Sequence, residues 1–154
     1  HSDYNIQDGG QLSKGLEAEF NANPFDGFNI IAGYAYNDSK MTRSNPNIEG
    51  RRPGLSGPKH MVNFWSSYEI QNGNLKGLGV GFGGNYGSWS YHTNTSSAQV
   101  IIPEYTLLDA TVFYNHKRFR VGIKVNNITN EKTWSVRLTP QNPTQVLGNI
   151  EFKF

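Results

Sequence analysis

Apolar and polar residues alternate along most of this chain, and the alternation falls into seven runs. The first covers about residues 11–22, with Leu16, Ala18, Phe20 and Ala22 on one face and Gly15, Glu17, Glu19 and Asn21 on the other. The second, about 28–37, sets Phe28, Ile30, Ala32, Tyr34 and Tyr36 against Asn29, Gly33 and Asn37. The third, about 61–70, sets Val62, Phe64, Tyr68 and Ile70 against Asn63, Trp65, Ser67 and Glu69. In the fourth, about 78–89, Leu78, Val80, Phe82 and Tyr86 alternate with Gly79, Gly81, Gly83 and Asn85. The fifth (105–115) places Leu108, Ala110, Val112 and Tyr114 opposite Asp109 and Thr111. The sixth (119–127) places Phe119, Val121, Ile123 and Val125 opposite Arg120, Gly122, Lys124 and Asn126, and the seventh is 146–154. A period of two marks a strand with one apolar face. Each run is roughly 9–12 residues, the length a tilted strand needs to cross a bilayer.

The connections alternate as well. Short turns at 23–27, 71–74 and 115–118 are interleaved with long polar stretches at 38–60, 90–104 and 129–145. An antiparallel meander then carries every long connection on one edge. Outer-membrane barrels have this asymmetry, with short periplasmic turns and longer extracellular loops. The chain closes on Ile150-Glu151-Phe152-Lys153-Phe154, an alternating segment with a terminal aromatic. Such an ending suits a strand that faces lipid on one side and a lumen on the other.

Composition narrows the choice. Only 36% of the 154 residues are hydrophobic, and no apolar run is long enough for a membrane-spanning helix. A barrel escapes that limit, because only alternate residues meet lipid. A net charge of +2, with Lys and Arg scattered, argues against a nucleic-acid partner. There is no cysteine, hence no disulfide framework and no thiolate metal site. An odd strand count would leave edges unpaired in hydrocarbon. The expectation is therefore a segment of a larger barrel, in a chain that starts at His1 because it is processed or partial. The competing architecture is a soluble carbohydrate-binding β-sandwich using Trp65, Trp89 and Trp134.

Six motifs in order resemble one family. They are Gly10-Gln11-Leu12-Ser13-Lys14-Gly15-Leu16-Glu17, Pro58-Lys59-His60-Met61-Val62-Asn63-Phe64-Trp65, and the Gly-rich Leu75-Lys76-Gly77-Leu78-Gly79-Val80-Gly81. Gly33-Tyr34-Ala35-Tyr36-Asn37-Asp38, Pro103-Glu104-Tyr105-Thr106-Leu107-Leu108-Asp109-Ala110 and Val125-Asn126-Asn127-Ile128-Thr129-Asn130 complete the set. Together the chain resembles the C-terminal barrel segment of a TonB-dependent outer-membrane siderophore receptor. The resemblance implies an all-β, antiparallel transmembrane β-barrel segment, about seven C-terminal strands of a barrel of about 22. Residues 1–154 would be wall and loops, with the plug domain not present in this chain.

The function implied is outer-membrane uptake of ferric siderophores with TonB-coupled energy; oligosaccharide or cobalamin is the alternative cargo. Iron would enter only as bound cargo, with no resident cofactor. Partners would be the ferric siderophore, TonB through the plug region, outer-membrane lipid, and the barrel-assembly machinery.

Candidate residues follow. Arg51, Arg52, Trp89, Tyr91, His92, Trp134 and Arg137 lie at or in outer loops, where aromatic faces and guanidinium groups suit a ferric chelate; the alternatives are the interfacial girdle for Trp89 and its neighbours and an ordinary solvated loop for Trp134 and the three arginines. Tyr34, Tyr36, Tyr68, Tyr86, Tyr114 and Phe154 fall near strand ends on the lipid face, as an interfacial girdle. Phe152 and Phe154 resemble the assembly signal. The histidines (1, 60, 92 and 116) have no metal-ligand spacing. Asp109 and Glu17 share the lumen phase, and Ser13, Ser66 and Ser67 lack a nucleophile-elbow context, so no catalytic set is expected. The glycine alternation at 79–84 is no phosphate loop, since no helix follows it; glycine on the lumen face is expected to leave room for a plug and to permit sheet curvature.

Overall fold

The computed structural model describes residues 9–154. His1 lies outside them. Among the described residues nine strands form: β1 (Gly10–Ala22), β2 (Phe28–Thr42), β3 (His60–Glu69), β4 (Leu78–Gly87), β5 (Ser90–Asn94), β6 (Gln99–Ile102), β7 (Tyr105–Asn115), β8 (Phe119–Asn126) and β9 (Gln145–Phe152). Seven of them make one antiparallel sheet in the order β1-β2-β3-β4-β7-β8-β9, and β5 and β6 form a separate hairpin. All seven alternating runs are strands of the large sheet. Three boundaries differ from expectation by two residues or more. β2 continues to Thr42, β4 stops at Gly87 rather than at Trp89, and pairing of β9 ends at Phe152, leaving Phe154 beyond it.

The register turns separate alternations into two continuous faces. Ala22, Ile30, Ser66, Phe82, Ala110, Val125 and Val146 lie side by side across all seven strands. Rows above and below add Phe20, Phe64 and Leu108, then Tyr68, Val80, Val112 and Ile123. This face is apolar and open, with Val112 55% and Ile123 57% exposed. Among the described residues Ile102, in the small hairpin, is the buried apolar side chain at 3% exposure. A water-soluble sandwich would bury such a face against a second layer. Here the face is dressed for hydrocarbon.

The opposite face is polar, but its middle is packed. Added Cβ atoms at Gly79 and Gly83 would run into the Phe113 ring and into Trp65, and one at Gly81 would lie 2.7 Å from the Trp65 ring. The room over these glycines is therefore filled from within the wall, which corrects the expectation that they are left open for a plug. Cations cap both rings: Arg120 lies 4.6 Å from the centre of Phe113 and Lys124 Nζ 5.6 Å from that of Trp65. Glycine weakens a strand, and a neighbouring aromatic laid across it restores the lost packing.

Short turns sit on one edge and are stitched sideways. Gly27 carries φ +82° and accepts from the Glu69 N–H at 2.9 Å, while Gly77 carries φ +90° and accepts from the Asn115 N–H at 2.8 Å. Both are conformations that L side chains rarely adopt. The other edge holds loops A (43–59), B (88–104) and C (127–144), with β5–β6 inside loop B.

Candidate functional site: three interlocked outer loops

Loop A is held onto the top of β2. Met41 N–H donates to Arg51 O at 2.8 Å, and Gly50 N–H to Met41 O at 2.9 Å. Arg52 turns inward: Nη1 donates to Asn37 O at 2.8 Å and Nη2 to Gly57 O at 2.9 Å, with the Asp38 carboxylate 3.9 Å away. Its side chain is only 12% exposed. The expectation that Arg52 stands open to an incoming anion is corrected: its guanidinium staples loop A. Arg51 remains half-buried beside the hairpin tip, where it and residues 95–99 line a small open hollow. Lys59 pairs with Asp38 at 3.0 Å, and hydrogen bonding to that carboxylate holds its ammonium above the ordinary lysine range. Because the value is raised, this pairing is complete at neutral pH and is lost only as pH climbs through it.

The hairpin in loop B docks on loop A. Leu55 N–H donates to Tyr91 O at 2.9 Å and to His92 O at 3.2 Å. Asn94 Nδ2 donates to Arg52 O at 2.8 Å, and Ser96 N–H and Oγ donate to Asn47 O and Oδ1, both at 2.8 Å. Trp89 is exposed and meets Tyr91 edge-on, with ring centres 5.1 Å apart. His92 points away to loop C, its Nδ1–H donating to Val136 O at 2.9 Å.

Loop C is tied at its base by Asn127, which is buried with φ +52°. Its N–H donates to Asp109 Oδ1 at 2.9 Å, its Nδ2 to Glu131 O at 3.0 Å, and its Oδ1 accepts from Glu131 N–H at 2.8 Å. Thr144 Oγ1 then closes the far end of the loop onto Asn127 O at 2.7 Å. Two sequence motifs, Leu-Leu-Asp109 and Val-Asn-Asn127, thus meet at one point. In the sequence Asp109 is marked only by its phase and Asn127 carries no assigned role; an Asn following a strand, a residue type that tolerates positive φ, is the available signal. Asn127→Ala should destabilise the loop base by about 1–2 kcal/mol, since it removes several buried bonds and suits the dihedral poorly. Faster proteolysis within 127–144, with the rest of the sheet still protected, is the expected readout. Beyond the knot, Trp134 is exposed and pairs with Pro140, and Arg137 is exposed on the turn that Ser135 and Thr139 close.

The tyrosines expected at strand ends fall into two bands. Tyr34, Tyr36 and Tyr86 lie toward the loop edge. There the Tyr34 hydroxyl and His60 Nδ1 are hydrogen-bonded at 2.9 Å, and the Tyr86 hydroxyl donates to Glu104 at 2.9 Å. Tyr68 and Tyr114 lie toward the turn edge. Tyr68 is near Phe25 and Phe28, which stack 4.8 Å apart, and Tyr114 is 6.2 Å from Phe119. From Phe28 to Tyr36 the strand runs roughly 27 Å at about 3.4 Å per residue. Tilted by about 40°, that rises roughly 20 Å, near the height of a barrel's apolar band. Phe152 is exposed in β9 and Phe154 is fully exposed beyond it.

An apolar outward face, a polar inner wall, short turns at one edge and interlocked long loops at the other define a section of an outer-membrane β-barrel. The chain belongs to the TonB dependent receptor-like, beta-barrel family, whose pattern matches residues 2–128. It is 32% identical over 130 residues to the ferrichrome outer membrane transporter/phage receptor of Escherichia coli, covering 81% of this chain and 17% of that protein. It is 32% identical over 127 residues to the ferrioxamine B receptor of Salmonella typhimurium, covering 78% of this chain and 17% of that one. Among solved structures it resembles the siderophore receptor PiuA of Acinetobacter baumannii, with TM-score 0.75 and 25% identity over 95% of this chain and 22% of that one. The chain thus spans about a fifth of the length of the relatives it matches.

Proposed function

We propose that this chain is the C-terminal wall and outer-loop segment of a transporter that takes up ferric siderophores across the outer membrane with TonB-coupled energy. The observation that carries this reading is 32% identity, over about four-fifths of the chain, to receptors named for ferrichrome and ferrioxamine B. In this reading residues 1–154 belong wholly to the barrel, and the plug that meets TonB is encoded elsewhere in the receptor. The protein is a transporter and not an enzyme, and iron passes through it as cargo rather than as a cofactor. Arg51, Trp89, Tyr91, Trp134 and Arg137 offer the chelate aromatic faces and positive charge from loops A, B and C. The tyrosine bands and Phe154 contact lipid at the two interfaces, and β9, with Phe152 and Phe154, is the segment taken up by the barrel-assembly machinery.

The test is radioactive iron uptake by cells that lack their own siderophore receptors and express the full-length receptor. Uptake from ferrichrome or ferrioxamine B that vanishes without TonB is expected. TonB-dependent uptake of cobalamin or an oligosaccharide, with no iron uptake, would overturn the cargo.

A further inference from the structure

His92 is the residue at which all three outer loops meet. β5 and β6 pair as Ser90↔Ile102 and Tyr91↔Ile101, then shift register so that Thr93 faces Val100. His92 is the extra residue of that bulge. A bulge leaves one residue outside the ladder and re-aims its side chain. The carbonyl of His92 faces loop A, where it accepts from Leu55 N–H, and its ring faces loop C, where Nδ1–H donates to Val136 O. Several bonds join loop B to loop A. Among the described residues, the His92–Val136 bond is the one hydrogen bond that joins loop B to loop C. Val136 lies within the turn that Ser135 and Thr139 close, between exposed Trp134 and Arg137.

We propose that His92 is a positioning residue: through Val136 it locks the 133–141 turn to the A–B unit, so that Trp134 and Arg137 are presented with Trp89 and Tyr91 as one surface. The proposal rests on the siderophore reading for what that surface binds, and assigns His92 an action through loop C rather than contact with the chelate. Asn is the informative replacement, since its side-chain N–H occupies nearly the position of Nδ1–H and donates to the same carbonyl.

The test uses the full-length receptor, with His92→Ala and His92→Asn compared by hydrogen exchange and by retention of radioactive iron bound as ferrichrome or ferrioxamine B. In His92→Ala, exchange over 133–141 should rise about fivefold, the factor that loss of one net hydrogen bond implies. The Leu55 and Ser96 amides should exchange as before. Chelate dissociation should quicken by a similar factor, and His92→Asn should restore both. Unchanged exchange over 133–141 in His92→Ala would overturn the joint. Weakened binding with unchanged exchange, unrescued by Asn, would make His92 a direct ligand contact and overturn the proposal. Raised exchange with unaltered binding would overturn the positioning role. If the unmodified receptor retains neither chelate, the siderophore reading fails, and exchange alone upholds or overturns the joint.

Discussion

Arginine at Val112 or Ile123 should cost about 2–4 kcal/mol of barrel stability, whereas arginine at Asn85 should cost well under half of that. Val112 and Ile123 are register partners on the outward face of β7 and β8, both more than half exposed. Lipid would surround a guanidinium placed there, and near the bilayer centre a charge is heavily penalised. Asn85 is exposed on the other face of β4, opposite Asn63, so a cation there meets the lumen. Thr111 is a poorer control for the inner face. Its methyl group and the Trp65 ring crowd the same space above Gly81, and its hydroxyl donates to Ile123 O at 2.9 Å. Denaturant unfolding of the full-length receptor in lipid, read by the heat-dependent shift in gel mobility, checks the difference. Equal costs on both faces would contradict the assignment of lipid to one of them.

Gly83→Val should cost about 3 kcal/mol and should impair assembly, while Gly148→Ala should be close to neutral. A Cβ at Gly83 would strike the Phe64 carbonyl and the ring and backbone of Trp65, so a flexible side-chain tip cannot absorb the collision. Either β3 and β4 separate or the Trp65 ring leaves its seat, taking with it the contact to Lys124. At Gly148, on the outward face of β9, an added Cβ meets nothing within 4 Å. Removing a glycine there also restricts the unfolded chain, which offsets any small strain. The yield of heat-modifiable receptor in the outer membrane distinguishes the two variants. Full assembly of Gly83→Val would mean that the aromatic–glycine seating does not hold the wall.

The sheet was legible because its signal is local. A strand exposes its face by alternation, so Val62, Phe64 and Tyr68 declared their side without knowledge of the neighbouring strands. The observed register keeps the apolar rows together. The hairpin β5–β6 was not legible. Ser90–Asn94 is uniformly polar, and its pairing with Gln99–Ile102 follows from the turn and from docking on loop A. Arg52 looked open for a similar reason: a loop arginine is solvated unless carbonyls converge on it, and Asn37 and Gly57 are brought there only by the fold. The glycines of β4 were visible, but their partners were not. That Phe113 and Trp65 cover them depends on which strands stand on either side of β4. His92 is visible in the sequence only as a loop residue, and the bulge that aims it at Val136 leaves no mark in the residue pattern.

One face of this sheet meets lipid and the other a wet lumen. A nitroxide scan along β7 tests it most directly, and the absence of cysteine from all 154 residues makes single-cysteine labelling simple within this segment. With any other cysteine of the full-length receptor replaced, each position from 106 to 114 is labelled in turn in lipid bilayers. Collisions with apolar oxygen and with a water-soluble nickel chelate are then compared. Oxygen should dominate at Leu108, Ala110 and Val112, and nickel should gain at the alternate positions Leu107 and Asp109, with a period of two. The opposite phase, or nickel access at every position, would mean that the outward face does not meet lipid.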